Sequence, residues 1–201
     1  MSQKSPQRIG IYGGSFDPVH RAHIVLAQTA LQTLPLDRVI FVPSGGIAHY
    51  KTDRQITPGK HRLAMIELAI AGNPCLQADP YEINRPEFTY TIQTLRHFRD
   101  QFPQGSTIYL LIGADWRYKL STWKEGDALV REFNIALFSR PGFEAPSPAP
   151  TQTDDPFVYI PMPLLDLASS DIRERIQLGQ PVETMLPAGV WPYIQSHGLY
   201  R

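Results

Sequence analysis

The sequence predicts an α/β protein organised on a doubly wound parallel sheet, and three observations predict it. Apolar, β-branched runs recur along the chain with helix-patterned stretches between them. The runs are near-continuous rather than alternating, Thr107-Ile108-Tyr109-Leu110-Leu111-Ile112 being the strongest. Several end directly in glycine-bearing turns, as at Gly13-Gly14 and Ser44-Gly45-Gly46. A strand covered by helices on both faces has no solvent side, so its apolar pattern loses the period of two. In such sheets ligands sit beyond the carboxyl ends of the strands.

Taken in order, Ile9-Gly10-Ile11-Tyr12 is the first strand, and Ala22 to Leu34 carries helical spacing closed by Pro35. Val39-Ile40-Phe41-Val42 is the second strand, stopped by Pro43 and the following Ser-Gly-Gly. Pro58 opens a helix through about Ala71, for which Leu63, Ile66, Leu68 and Ile70 supply an apolar face. A weak strand lies around Leu76, a helix over Thr89 to Phe102, and the strong strand over Thr107 to Ile112 ends at Gly113. A helix near Asp127 to Glu132 then leads to the strand Asn134 to Phe138. Pro141 to Pro156 is rich in Pro, Ser, Thr and Asp and reads as a loop separating the sheet from a helical tail, Ser169 to Leu199.

Length and charge restrict the function classes. A chain of 201 residues supports one core and about one domain. Its 19 Lys and Arg balance its 19 Asp and Glu, so bulk electrostatics predicts no nucleic-acid and no membrane partner, although a local basic pocket remains open to it. The lone Cys75 excludes an intrachain disulfide and is read as a buried free thiol. No apolar run approaches the roughly 18 residues of a membrane span; a cytoplasmic location is expected.

The chemistry begins at Gly13-Gly14-Ser15-Phe16-Asp17-Pro18-Val19-His20-Arg21-Ala22-His23. Glycines straight after a strand let the backbone turn sharply and approach a ligand. No G-x-G-x-x-G is present, and no Gly-Lys-Ser/Thr follows, so this is neither a dinucleotide fingerprint nor a P-loop. For a helix beginning near Val19, His20 and His23 share one face of its first turn. The positive end of a helix disfavours cationic side chains by about 0.3–1 kcal/mol, so paired imidazoles there make sense when an anion is held before them. A metal pair and unrelated surface histidines are the alternatives. The metal reading lacks a third and fourth ligand at helical spacing, and phosphate contact is preferred.

A second cluster is Ser169-Ser170-Asp171-Ile172-Arg173. Ser169 or Ser170 suits a helix N-cap, and a capping box would put Glu or Gln three places after the serine. From Ser170 that place holds Arg173. Backbone N–H groups, a hydroxyl and a guanidinium at one helix start form a phosphate site.

These residues resemble the (H/T)-x-G-H nucleotidyltransferase superfamily, with the second cluster resembling its S-S-x-x-[IM]-R element. Val42-Pro43-Ser44-Gly45, Tyr90-Thr91, Leu111-Ile112-Gly113-Ala114-Asp115-Trp116, Trp123, Arg140-Pro141-Gly142, Tyr193-Ile194 and Leu199-Tyr200 narrow the likeness to bacterial nicotinate-nucleotide adenylyltransferases. The resemblance implies a Rossmann-like nucleotidyltransferase domain over residues 1–201, with a helical subregion from 161 carrying the Ser-Ser element. It implies adenylyl transfer from ATP to nicotinate mononucleotide, giving deamido-NAD and pyrophosphate, with Mg²⁺ carried by the substrate and no protein-held metal. His20, His23 and Arg173 would be catalytic. Gly13, Gly14, Ser15, Phe16, Gly113, Asp115, Ser169 and Ser170 would bind ATP and phosphate. Ser44, Lys51, Thr91, Trp116 and Arg140 would bind the pyridine mononucleotide. The chain departs from the family pattern at Ile47-Ala48-His49-Tyr50-Lys51, where Pro-Pro-His-Lys is usual, and at Ala22, where Gly is common. Nicotinamide mononucleotide as main acceptor, a sister enzyme acting on phosphopantetheine, and a nucleotide-sensing module without turnover remain alternatives. A homo-oligomer is also left open.

Overall fold

The computed structural model describes residues 5–45, 56–139, 155–162, 165 and 167–201. Six strands form one sheet, in the order β3-β2-β1-β4-β5-β6: β1 (Arg8–Gly14), β2 (Arg38–Pro43), β3 (Leu76–Ala78), β4 (Thr107–Gly113), β5 (Asn134–Phe138) and β6 (Phe157–Ile160). Every neighbouring pair is parallel. The helices are α1 (Arg21–Thr33), α2 (Gly59–Ile70), α3 (Thr91–Gln101), α4 (Gly126–Glu132), α5 (Ser169–Gln177) and α6 (Val190–Ser196). A 3₁₀ stretch, Ala114–Thr122, joins β4 to α4.

The continuous apolar runs are explained by which face each residue takes. On β2, Val39 and Phe41 enter one core layer and Ile40 and Val42 the other; on β5, Ala136 and Phe138 oppose Ile135 and Leu137 in the same way. Both sides are covered, the first by residues of α1, α2, α5 and α6 and the second by those of α3 and α4. Each fully buried Ile, Leu or Phe contributes about 1.5–3 kcal/mol relative to exposure. The chain winds from β1 outward through β2 to β3, then returns to β4 and winds the other way. The reversal leaves a crevice at the carboxyl ends of β1 and β4, the position where ligands bind in open α/β sheets.

The structure corrects four expectations. Helix α1 starts at Arg21, not Val19, with His20 as its extended N-cap residue. The buried face of α2 is Arg62, Met65, Ile66 and Ile70, while Leu68 is 39% exposed. Cys75 is exposed, because it stands in the turn before β3, where its N–H bonds to Asn73 Oδ1 at 3.0 Å. The Pro141–Pro156 stretch does not end the sheet: β6 follows it, with Ile135 opposite Phe157 and Phe138 opposite Ile160. That edge strand is four residues long with only Ile160 buried, too short and mixed a pattern to stand out. No helix among the described residues is long and apolar enough to cross a membrane.

Candidate active site at the switch point

A cavity of about 180 Å³ fills the crevice. Its walls are the Gly13–Phe16 turn from β1, His23 from α1, and Gly113 with Trp116 from the end of β4. Gly13 opens onto free space: a methyl added there meets nothing within 4 Å. Gly14 is crowded instead: its Cβ would stand 3.0 Å from the Phe16 ring, which would have to shift by a few tenths of an ångström. Phe16 holds a left-handed backbone at φ 47, a strain of order 1–3 kcal/mol for a non-glycine residue. Its ring is gripped edge-on by Tyr12 at 5.2 Å and His23 at 5.0 Å and is 1% exposed. The surroundings thus over-determine the bend.

His20 and His23 come together although His20 lies outside the helix. Their rings stack at 3.7 Å between centroids, and the His20 backbone N–H donates to His23 Nδ1 at 3.1 Å. Accepting that bond leaves Nδ1 without a proton, so the neutral His23 ring carries its hydrogen on Nε2. The cap thereby orients the imidazole that lines the cavity.

The second cluster docks on the first. Ser169 Oγ donates to the Pro18 carbonyl at 2.9 Å and Arg173 Nη1 to the Asp17 carbonyl at 2.6 Å. The N-cap of α5 is Ala168, not a serine, because the Ser169 hydroxyl is spent on Pro18. The two helix openings therefore meet across the Asp17-Pro18 turn. Ser170 is exposed and bonds Asp171 Oδ1 at 3.0 Å, which leaves it apart from the cavity wall. Arg173, bonded to the Asp17 carbonyl, is likewise not among the residues that line the cavity.

The remaining expected residues spread along the same edge of the sheet. Ser44 follows β2 and donates its N–H to the Gly14 carbonyl at 2.8 Å, tying the β2 turn to the β1 turn. Asp115 is half-buried in the first turn of the 3₁₀ stretch. Trp116 meets Trp123 edge-on at 5.2 Å, with Lys119 Nζ 5.6 Å over its ring. Thr91, half-buried, opens α3. Lys51 and Arg140 lie outside the described residues.

Four residues to which sequence reasoning gave no site role complete the surroundings. Asp17 is 1% exposed, and its Oδ1 accepts from the Tyr200 hydroxyl at 2.7 Å. Burial, followed by the Asp17 carboxylate, pushes that hydroxyl far above the ordinary tyrosine range. Arg62, also 1% exposed, donates to the carbonyls of Thr57, Ser15 and Ser44 at 2.7, 2.9 and 2.7 Å. Burial lowers its guanidinium pKa, and Asp17 is the chief opposing charge. Desolvating an ion costs several kcal/mol, and three bonds from a charged donor, each about 1.5–3 kcal/mol, offset a cost of that size. Glu82 is raised by burial, with bonds from Thr94 and from the Gly45 backbone opposing the shift. The signal for Arg62 was available: position 62 shares a helical face with 65, 66 and 69, so a charge sits on an apolar stripe.

The fold and the crevice define a doubly wound α/β protein with a ligand-sized cavity at its switch point and no glycine-rich dinucleotide fingerprint. Comparisons with known proteins agree. The family model described as cytidylyltransferase-like matches residues 11–175. A Moorella thermoacetica protein named probable nicotinate-nucleotide adenylyltransferase is 39% identical over 98% of this chain and 93% of its own length. A Thermoanaerobacter protein of the same name is 37% identical over 96% and 94%. Among solved structures, Plasmodium falciparum nicotinic acid mononucleotide adenylyltransferase, complexed with NaAD, superposes with a TM-score of 0.77 over 96% of this chain and 97% of that one. At 22% identity that likeness speaks to the fold. The chain belongs to the nicotinate-nucleotide adenylyltransferase family, within the cytidylyltransferase-like proteins.

Proposed function

We propose that the protein transfers the adenylyl group of ATP to the phosphate of nicotinate mononucleotide, forming deamido-NAD and pyrophosphate in NAD biosynthesis. The observation that carries this reading is the docking of the α5 start onto the loop that leads from β1 to His20 and His23, beside a cavity at the switch point. Relatives bearing that enzyme name match over nearly their whole length.

The protein need not supply a nucleophile. A phosphate oxygen of the mononucleotide attacks the α-phosphorus of ATP, and the bond from that phosphorus to the bridging oxygen breaks as pyrophosphate leaves. Catalysis is then positioning plus stabilisation of the charge that accumulates on the leaving group. On this reading the His23 Nε2–H, His20 and Arg173 stabilise that charge, with the backbone of Gly13 to Phe16, Ser169 and Ser170 holding phosphate. Gly113 and Asp115 hold the adenosine side. Trp116 lies against the pyridine ring, with Ser44, Thr91, Lys51 and Arg140 on the acceptor. Mg²⁺ would come with the ATP substrate and would supply neutralisation of phosphate charge there.

The test is the initial rate of pyrophosphate release from ATP and Mg²⁺ with nicotinate mononucleotide, nicotinamide mononucleotide and phosphopantetheine as separate acceptors. Release is expected to be fastest with nicotinate mononucleotide. A faster rate on nicotinamide mononucleotide would reverse the acceptor assignment, and no release with either pyridine nucleotide would refute the reaction.

A further inference from the structure

We propose that Arg62 is a positioning residue that sets the spacing and direction of the two substrate-facing turns through the carbonyl oxygens of Ser15 and Ser44. This rests on the reading of the β1 turn as the phosphate side and of the Ser44 turn as the acceptor side. Arg62 is itself no part of the described cavity wall.

The geometry is specific to a guanidinium. Nη1 reaches the Ser15 carbonyl at 2.9 Å, Nη2 the Ser44 carbonyl at 2.7 Å and Nε the Thr57 carbonyl at 2.7 Å. Its N–H groups lie in one rigid plane, so these three carbonyls are fixed relative to one another. A lysine ammonium has no such fork, and an apolar side chain would leave three carbonyls without their donor.

Fixing a carbonyl fixes the next amide as well. In a trans peptide the C=O and the following N–H point in opposite directions, so holding the Ser15 oxygen aims the Phe16 N–H away from Arg62. On the other turn the opposed group has a buried partner, since the Gly45 N–H bonds the Glu82 carboxylate. Thr94 Oγ1 donates to the same carboxylate at 2.6 Å. The Ser44–Gly45 peptide is thereby held on both edges, by the Arg62 guanidinium on one side and the Glu82 carboxyl on the other. A Cβ on Gly45 would stand 2.6 Å from the Glu82 carbonyl oxygen, so the grip leaves no room for a side chain. Through Glu82 and Thr94 it extends to α3, one turn from Thr91. A single buried framework thus connects the phosphate turn, the acceptor turn and the helix opening beside it.

The experiment compares Arg62→Lys and Arg62→Met with wild type, measuring kcat and the KM of each substrate well below each variant's own melting temperature, on whichever acceptor wild type uses. The expected result is a kcat loss of roughly 10–100-fold, the size of effect that a small misplacement of reacting groups produces. It should come with a raised acceptor KM and be smaller for Lys than for Met. A merely structural arginine would lower the melting temperature and leave both constants of the folded protein alone; either variant folded and within about twofold of wild type overturns the proposal. If both unfold, Thr94→Val decides, because it loosens Glu82 without touching the buried cation. A raised acceptor KM with an unchanged KM for ATP supports the proposal, and unchanged constants overturn it. Failure of the reaction assignment is distinguishable, since wild type itself would then form no dinucleotide.

Discussion

A single backbone hydrogen bond decides which nitrogen of His23 can act. The His20 N–H occupies Nδ1, so the proton of the neutral ring is on Nε2, the donor that the proposed function assigns to phosphate. His23→Ala removes that donor together with the stack on His20. Kcat is expected to fall roughly 10²–10³-fold, by analogy with loss of one oxyanion-hole donor, with the melting temperature changing little because only a half-buried ring is lost. Steady-state turnover on ATP and the pyridine mononucleotide measures it; turnover at the wild-type rate would remove His23 from the catalytic set. At this scale much of the site was legible. Glycines after a strand and histidines at a helix start are unusual residue types for their positions, and such oddities carry information. The partners of Asp17, Glu82 and Arg62 were not legible, because they stand 183, 12 and 47 residues away, although the charge at position 62 on an apolar helical stripe was itself a signal.

Among the elements, α5 is held to the β1–α1 loop by Ser169 and Arg173 rather than by its own cap. Ser169→Ala deletes the hydroxyl that donates to the Pro18 carbonyl, and the expected cost is about 0.5–1.5 kcal/mol, the net worth of one intramolecular hydrogen bond. Urea denaturation would record it, and the KM for ATP should rise as Arg173 loses its anchored helix start. A variant with unchanged stability and KM would show that the hydroxyl does not hold α5 in place. Element identity was read well where patterns were long, as in β4 and α3. It failed for β6, whose four residues join the sheet because β5 offers an unpaired edge, not because their own sequence insists. It failed in detail for α2, where counting apolar residues chose Leu68 and overlooked that a satisfied arginine can occupy a core face.

Over the whole molecule, the penultimate residue of the chain closes on the first motif. Tyr200 has φ 65 and gives its hydroxyl to Asp17 at a separation of 183 positions. Its pKa is raised in the folded protein above the ordinary 10.0, so the neutral hydroxyl is the form that folding favours. Below pH 10 that form exists in both states and its contribution is complete. As the pH rises past the unfolded value, only the unfolded chain ionises, and stability falls by at most about 1.4 kcal/mol per pH unit. Tyr200→Phe should cost about 1–3 kcal/mol at neutral pH, the penalty for depriving a buried polar group of its partner. The gap between wild type and variant should then narrow above pH 10. Denaturant titrations of both proteins from pH 7 to 11 measure this, and a constant gap would show that the hydroxyl titrates alike in both states.

By itself the sequence determined the parallel α/β architecture, the glycine turn that lines the cavity, and the family. Each of these is encoded locally, in strand composition, in glycine placement, and in which side chains open a helix. Only the tertiary structure decided that α5 docks on the Asp17-Pro18 turn, that β6 extends the sheet beyond the loop, and that Arg62 and Tyr200 brace the site from behind. Those contacts join residues far apart in the chain, and a buried polar group takes its role from the partners that folding brings within hydrogen-bond reach, which no local pattern specifies.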